Sequence, residues 1–287
     1  LHMSPDTFIQ ERLERLRGSG TRGALSEADL TALVEKTVLS KKFRKYAVDD
    51  EFVPHLRNAV KLNFDRNEPI KFMFPFGGYK LWRLEEAPEA DWAELFSMMY
   101  YAWWLKPIAD AYEPGIWFDF SSDDVIVEKL NHIPKADTAA YKASFERIIH
   151  FLKAYMPENF NMTMTPVGSR YASEEEFDAD LKARMAELLA ENGGNLLEVS
   201  EEERAMMELN ANPTEEERLD PLWREKNKLL HDGYMAVTKR RPYNKMPDKI
   251  SVFSKSFPKT VGVGTTKASI AKFWAGVGAL KRREESF

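Results

Sequence analysis

The stretch that most constrains this chain is "YEPGIWFDFSSDDVIVEKL", residues 112–130. Ile116-Trp117-Phe118-Asp119-Phe120 is an apolar run of the length expected for a buried strand. It stops at Ser121-Ser122-Asp123-Asp124, and amphipathic helical periodicity resumes at once. Open α/β sheets bind ligands outside the carboxyl ends of their strands, where loops carry polar groups above a dry core. Two hydroxyls and two carboxylates at this point fit such a place. The plain alternative is that Asp123 or Ser122 caps the next helix by accepting orphan backbone N–H groups. One residue can do that, which leaves the others to face a cleft.

The rest of the chain supplies matching elements. "PIKFMFPF" (69–76) is a short aromatic strand ended by Gly77-Gly78, and "FNMTMTPVG" (160–168) alternates with period two. "KISVFSKS" and "KTVGVG" give two further strands near the end of the chain. Between them lie helical segments: 91–111, apolar nearly all round and so buried; "DVIVEKLN"; 137–155; 219–240; and a closing helix from Thr265. Strands alternating with long helices predict an α/β fold, a Rossmann-like and mainly parallel sheet flanked by helices. Residues 4–66 read as a helical N-terminal extension, with Ser26 and Asp29 as a near capping box. Residues 67–287 read as the catalytic α/β domain, interrupted by an acidic helical insertion over 173–218.

Charge is unevenly spread. Residues 173–220 carry 16 acidic against 4 basic side chains, whereas 222–287 carry 15 basic against 5 acidic. The basic part could attract an anion, or the two segments could fold against each other. Its cations follow no RNA- or DNA-binding motif, which favours a small anion over nucleic acid. The absence of cysteine removes disulfides, thiolate nucleophiles and Cys-ligated zinc, and fits a reducing cytoplasm. The window "LFSMMYYAWWLKPI" is too short to span a bilayer. Leu1-His2-Met3 resembles an expression remnant, and no secretory region follows. A soluble cytoplasmic protein is expected. His55, His132, His150 and His231 show no metal-ligand spacing.

Two more stretches are candidates for ligand contact. In "FPFGGYKLWRL", Gly77-Gly78 lets the backbone come close to a ligand near Lys80 and Arg83. In "KTVGVGTTKAS", Thr265, Thr266 and Lys267 open a helix whose free N–H groups could hold an anion, with Lys255 and Lys259 on the adjoining strands. A plain turn and a Thr-capped helix are the respective alternatives. The chain has neither G-x-G-x-x-G nor a P-loop, which counts against a standard dinucleotide or nucleotide site.

Taken together, these stretches resemble the isocyanide synthases of pyoverdine/paerucumarin-type and dityrosine-type pathways. Phe74-Pro75 with Lys80 matches a Phe-Pro-x-Lys segment of that family, and Pro88 through Glu94 matches a Pro-Asp-x-Ala-Glu helix start. Tyr112 through Asp124 matches Tyr-x-Pro-Gly…Ser-Asp-Gly, and Tyr141 matches a later tyrosine. The resemblance is best over 69–155. Two departures stand out: Asp124 replaces the motif's glycine, and Ser254-Lys255-Ser256-Phe257 replaces Ser-x-His-Pro, so the acid/base of that histidine is missing. The resemblance implies condensation of an amino acid's α-amine with the ketone of a phosphorylated sugar such as ribulose 5-phosphate, without metal or other cofactor. Asp123 or Asp124 would pair with the ammonium and deprotonate it. Lys80 would act beside them, and with Arg83 would hold a carboxylate or phosphate. Ser122, Ser254, Lys255, Thr265, Thr266 and Lys267 would complete substrate binding. Two other readings remain open on the residues alone: a partner-binding protein using the charged halves, and a Rossmann-like methyltransferase, which the lack of a glycine-rich first loop weakens.

Overall fold

The structure is a computed structural model that describes residues 5–20, 22–76, 89–238, 246–253 and 259–263. Three helices lead in: α1 (Pro5–Glu14), α2 (Glu27–Val38) and α3 (Phe52–Asp65). Ser26 caps α2 as its position predicts, accepting from the Asp29 backbone N–H. Then strand and helix alternate: β1 (Ile70–Phe76), α4 (Trp92–Ala111), β2 (Ile116–Ser122), α5 (Asp124–Asn131), α6 (Lys135–Lys153) and β3 (Phe160–Pro166). A 3-10 turn, Val167–Arg170, follows β3. Four helices come next, α7 (Glu174–Glu191), α8 (Glu201–Asn210), α9 (Glu215–Leu219) and α10 (Trp223–Thr238), before β4 (Lys249–Phe253) and β5 (Thr260–Gly262).

The five strands form one sheet in the order β3-β2-β1-β4-β5, and every strand pair is parallel. This is the Rossmann-like α/β architecture. The chain winds outward from β1 through β2 to β3, then crosses to the other side of β1 for β4 and β5. Strand order therefore reverses between β1 and β4, which is where such folds open a crevice.

The register places Phe72, Phe118, Met162 and Ile250 side by side, and likewise Met73, Asp119, Thr163 and Ser251. Because side chains alternate, these two rows lie on opposite faces. The apolar row belongs to a single core that also takes in Leu30, Val34, Phe52, Leu56, Leu105, Phe145 and Ile148 from the faces of four helices. The Tyr101 ring stacks on Phe118 at 4.9 Å, and Phe145 meets Phe120 edge-on at 5.0 Å. Each such buried ring contributes about 2–3 kcal/mol. The N-terminal helices share this core with the sheet. Trp104 Nε1 donates to the Thr37 carbonyl at 2.9 Å, which ties α4 to α2.

A second, smaller apolar cluster joins Val125, Tyr171, Phe177, Leu181, Tyr234 and Val237. It seats α7, from the acidic part of the chain, and α10, from the basic part that follows, on α5 beside the carboxyl end of β2. Gly233 makes this seat close: a Cβ there would stand 2.7 Å from Met185 Cγ.

Two sequence expectations are corrected. The strand read as 116–120 runs on through Ser121 and Ser122, because the apolar-polar switch hid two more residues of extended backbone. The helix read as 219–240 starts later, at Trp223, because Pro221 cannot supply an N–H to continue a helix through it, and a separate short helix ends at Leu219. The closing helix expected from Thr265 lies outside the described residues.

Candidate functional site

The site is built around the carboxyl end of β2. Asp123 occupies the cap position of α5 but makes no side-chain cap bond. It accepts instead from Tyr234 Oη at 3.1 Å, a residue 111 positions along the chain on α10. The capping explanation therefore fails for this residue. Asp124, the first residue of α5, accepts from the Gly168 backbone N–H at 3.4 Å. Gly168 permits this approach, since a Cβ there would sit 3.0 Å from Val125 Cγ2 and 3.4 Å from Asp124 Oδ2.

Both carboxyl groups hold their protons unusually well. Burial pushes Asp123 up to about 7, reinforced by Asp124 and opposed by the Tyr234 hydroxyl and by Arg170. Burial also pushes Asp124 up to about 6, with Glu128 adding to it and backbone N–H groups of Gly168, Val125 and Val167 opposing it. As neighbours they titrate as a pair.

Two residues before Asp123, Ser121 is fully buried on the polar face of β2, two residues beyond Asp119. Asp119 is 1% exposed and accepts from Thr163 Oγ1 at 2.7 Å, Thr165 Oγ1 at 2.6 Å and Arg170 Nη2 at 3.2 Å. Trp117 Nε1 donates to Thr163 Oγ1 at 2.8 Å, and the Lys249 ammonium stands 4.6 Å from the Trp117 ring. Burial and the nearby Arg170 lower the Lys249 pKa. A charged pair is tolerable in a sheet only when its lone pairs are met, and here they are. Arg170 is thus held by the Asp119 carboxylate, and its charge acts on Asp123.

Of the sequence-predicted residues, Ser122, Asp123 and Asp124 meet at this carboxyl edge. Ser122 is buried on the face of Phe118 and Phe120. Lys80, Arg83, Ser254, Lys255, Thr265, Thr266 and Lys267 lie outside the described residues. The strands that precede the first four of them, β1 and β4, are hydrogen-bonded neighbours. Sequence reasoning missed Asp119, Thr163, Thr165, Arg170 and Tyr234. One signal was present: a carboxylate in the middle of an apolar strand must find partners, and the Thr-x-Thr of β3 faces it. Among the described residues no group of three or more His, Asp or Glu side chains could hold a metal. His55 Nε2 is bonded to the Lys249 carbonyl at 2.8 Å and His132 Nε2 to Glu217 at 2.7 Å. Nor is any helix there long and apolar enough to cross a membrane.

No protein-family model matches the chain, and no curated protein matches it. Its structure is similar to the crystal structure of the PvcA protein from Pseudomonas aeruginosa, with a TM-score of 0.54 and 19% identity over 82% of each chain. At that identity the likeness is one of fold, a distant relationship that covers most of both molecules.

Proposed function

We propose that the chain is a biosynthetic enzyme of the isocyanide-synthase type, which condenses the α-amine of an amino acid with the ketone of a pentulose phosphate. The observation that carries this reading is the pair Asp123 and Asp124, two adjacent part-buried carboxyl groups at the carboxyl end of β2 that titrate near 7 and 6. The motif resemblance over 69–155 supports this family, and the fold likeness to PvcA is compatible with it.

An amine attacks a carbonyl only when neutral, so the first task is to remove a proton from the ammonium. A carboxyl group that titrates near the working pH does this well, because it is ionised often enough to accept and acidic enough to give back. Asp123 takes the proton, while Asp124, the stronger acid, stays ionised and holds the nitrogen. The nitrogen lone pair forms the bond to the ketone carbon as the carbonyl π bond breaks, and the oxygen receives the proton from Asp123. Asp123 then takes a proton from the new C–N ammonium and delivers it to the hydroxyl, which leaves as water as the nitrogen lone pair forms the protonated imine. Lys80 and Arg83 from the β1 side would hold the sugar's anionic end, with Ser254, Lys255, Thr265, Thr266 and Lys267 completing the phosphate contacts and Ser122 lining the amino-acid end.

Titration calorimetry with ribulose 5-phosphate tests the reading. Wild type should bind, and Lys80→Ala or Lys267→Ala should weaken binding by roughly 1.5–3 kcal/mol, the worth of a hydrogen bond to a charged group. No binding by wild type would sink the sugar-phosphate enzyme.

A further inference from the structure

The amino-acid end of the proposed site lacks an assigned partner for the substrate's carboxylate. An α-amino acid carries opposite charges a few ångströms apart, so a site that holds its ammonium on carboxylates needs a cation close beside them. We infer that Arg170 is that cation: its guanidinium binds the α-carboxylate of the amino acid whose ammonium rests on Asp123 and Asp124, and Asp119 is the positioning residue that aims it. The inference rests on the amino-acid reading above and sharpens it, since it leaves Lys80 and Arg83 to the phosphate.

The 3-10 turn Val167–Arg170 makes the geometry. Its Gly168 N–H reaches Asp124 at the start of α5, and its Arg170 reaches Asp119 in β2, so one short segment contacts both carboxylates. The Arg170 side chain is 11% exposed and that of Asp119 is 1% exposed, so the pair is largely removed from solvent screening. Asp119 is itself fixed: Thr163 and Thr165 both donate to its Oδ1, while Oδ2 takes the Arg170 Nη2. A carboxylate held by three donors cannot swing, so the planar fork it grips points in one direction. Met73 Sδ, 3.9 Å from Arg170 Nη1, adds a soft wall beside the guanidinium. Arginine suits this task, because its fork matches a carboxylate in two parallel hydrogen bonds where a lysine offers one point of charge. The Thr-x-Thr spacing of β3 is thereby explained, since both hydroxyls must lie on the face of Asp119 and only alternate residues do.

The test compares ligands that differ only in the carboxylate. The standard L-amino acids are screened against wild type by thermal shift. The one that stabilises most is then titrated beside its decarboxylated amine, on wild type, Arg170→Lys, Arg170→Gln and Asp119→Asn. Wild type should prefer the amino acid to the amine by about 10- to 100-fold. In Arg170→Gln the two ligands should bind alike. Arg170→Lys should keep part of the preference and, as the conservative change, guards against a variant that does not fold. Asp119→Asn should lower the preference without touching affinity for the amine, which a purely structural role would not do. If Arg170→Gln or Arg170→Lys keeps the full preference, the assignment is overturned while the amino-acid reading stands. If no amino acid stabilises wild type, both fall.

Discussion

At the amino end of the sheet, Lys71 lies 2.6 Å from Glu68 and 2.9 Å from Asp248, with side chains of Lys71 and Asp248 about equally buried. At the carboxyl end, Asp123 and Asp124 stand next to each other and to Glu128. Burial opposes the charged form in both places, but the outcomes differ. For Lys71 the hydrogen bonds it donates to Glu68 and Asp248, with their charges, outweigh burial, and its pKa is raised. Burial of Asp248 is likewise outweighed by Lys71, and its pKa is lowered. For Asp123 burial outweighs the Tyr234 hydroxyl and Arg170, and the carboxyl group retains its proton to about 7. The same residue types thus stabilise the fold at one end and work against it at the other. Stability sacrificed locally is a mark of sites kept for chemistry.

The contrast breaks first if the amino end is not rigid. Gly115 sits there at φ +77°, and a Cβ would fall 2.0 Å from the Asn159 carbonyl oxygen. Asn159 in turn donates to the carbonyls of Ala109, Tyr112 and Glu113, and so locks the end of α4 to the start of β3. Gly115→Ala should cost about 4 kcal/mol or more, or prevent folding, because neither backbone can retreat. Urea unfolding measures it, and a loss below about 1 kcal/mol would show that this end has slack.

The carboxyl end yields the opposite sign. The ordinary value for Asp123 is 3.8 and its folded value is about 7, so the folded state binds the proton more tightly than the unfolded chain. Its contribution to stability is full below about pH 4, falls as pH rises between the two values, and is constant above about 7. Asp123→Asn removes that dependence while keeping an oxygen to accept from Tyr234. The variant should therefore be more stable than wild type by about 2–4 kcal/mol at pH 8, with the gain shrinking towards pH 4. Unfolding curves at pH 4, 6 and 8 read this directly. A variant less stable than wild type at pH 8 would overturn the reading of this end as strained, and loss of the ligand response in the same variant would tie the strain to function.

Lys71→Met sharpens the amino end in turn. It leaves Asp248 without its main partner, and should cost about 1–3 kcal/mol at neutral pH. The sign with pH is reversed here: the depressed Asp248 contributes stability above its ordinary 3.8 and loses it as pH falls through its lower folded value. The variant's deficit should shrink in acid, and its ligand affinity should equal that of wild type. A change in affinity would mean that the two ends are coupled.

How much of this contrast could be read from the chain follows from distance along it. β2, α5 and β3 were legible because their periodicity is local, and Asp123 and Asp124 stood out as polar residues at a strand's end. Asp119 was visible as an oddity, but its partners come 44 to 51 residues later, and nothing local says which way their side chains face. Ser121 and Ser122 looked like loop because hydroxyls do not announce a buried strand, although here both are covered. The opposite pKa directions at the two ends were illegible for the same reason: they depend on which groups the fold brings into one dry volume.

Tyr234 is the smallest of these effects and the most specific. It is 111 residues from Asp123, 2% exposed, and packed with Phe177 in the cluster that seats α10 and α7 on α5. Its hydroxyl donates to Asp123 Oδ1, a bond that favours the ionised carboxylate. Tyr234→Phe keeps the ring and its packing, and should cost only about 1 kcal/mol at pH 8. The cost should diminish as pH falls, because a protonated Asp123 depends less on a donor. The midpoint of Asp123 should rise above about 7, followed by carbon-13 NMR of the aspartate carboxyl groups across pH. Activity or ligand binding that needs the ionised form should move to higher pH with it. An unchanged midpoint would reduce Tyr234 to a packing residue, and α10 would then be a neighbour of the carboxyl end without influence on its chemistry.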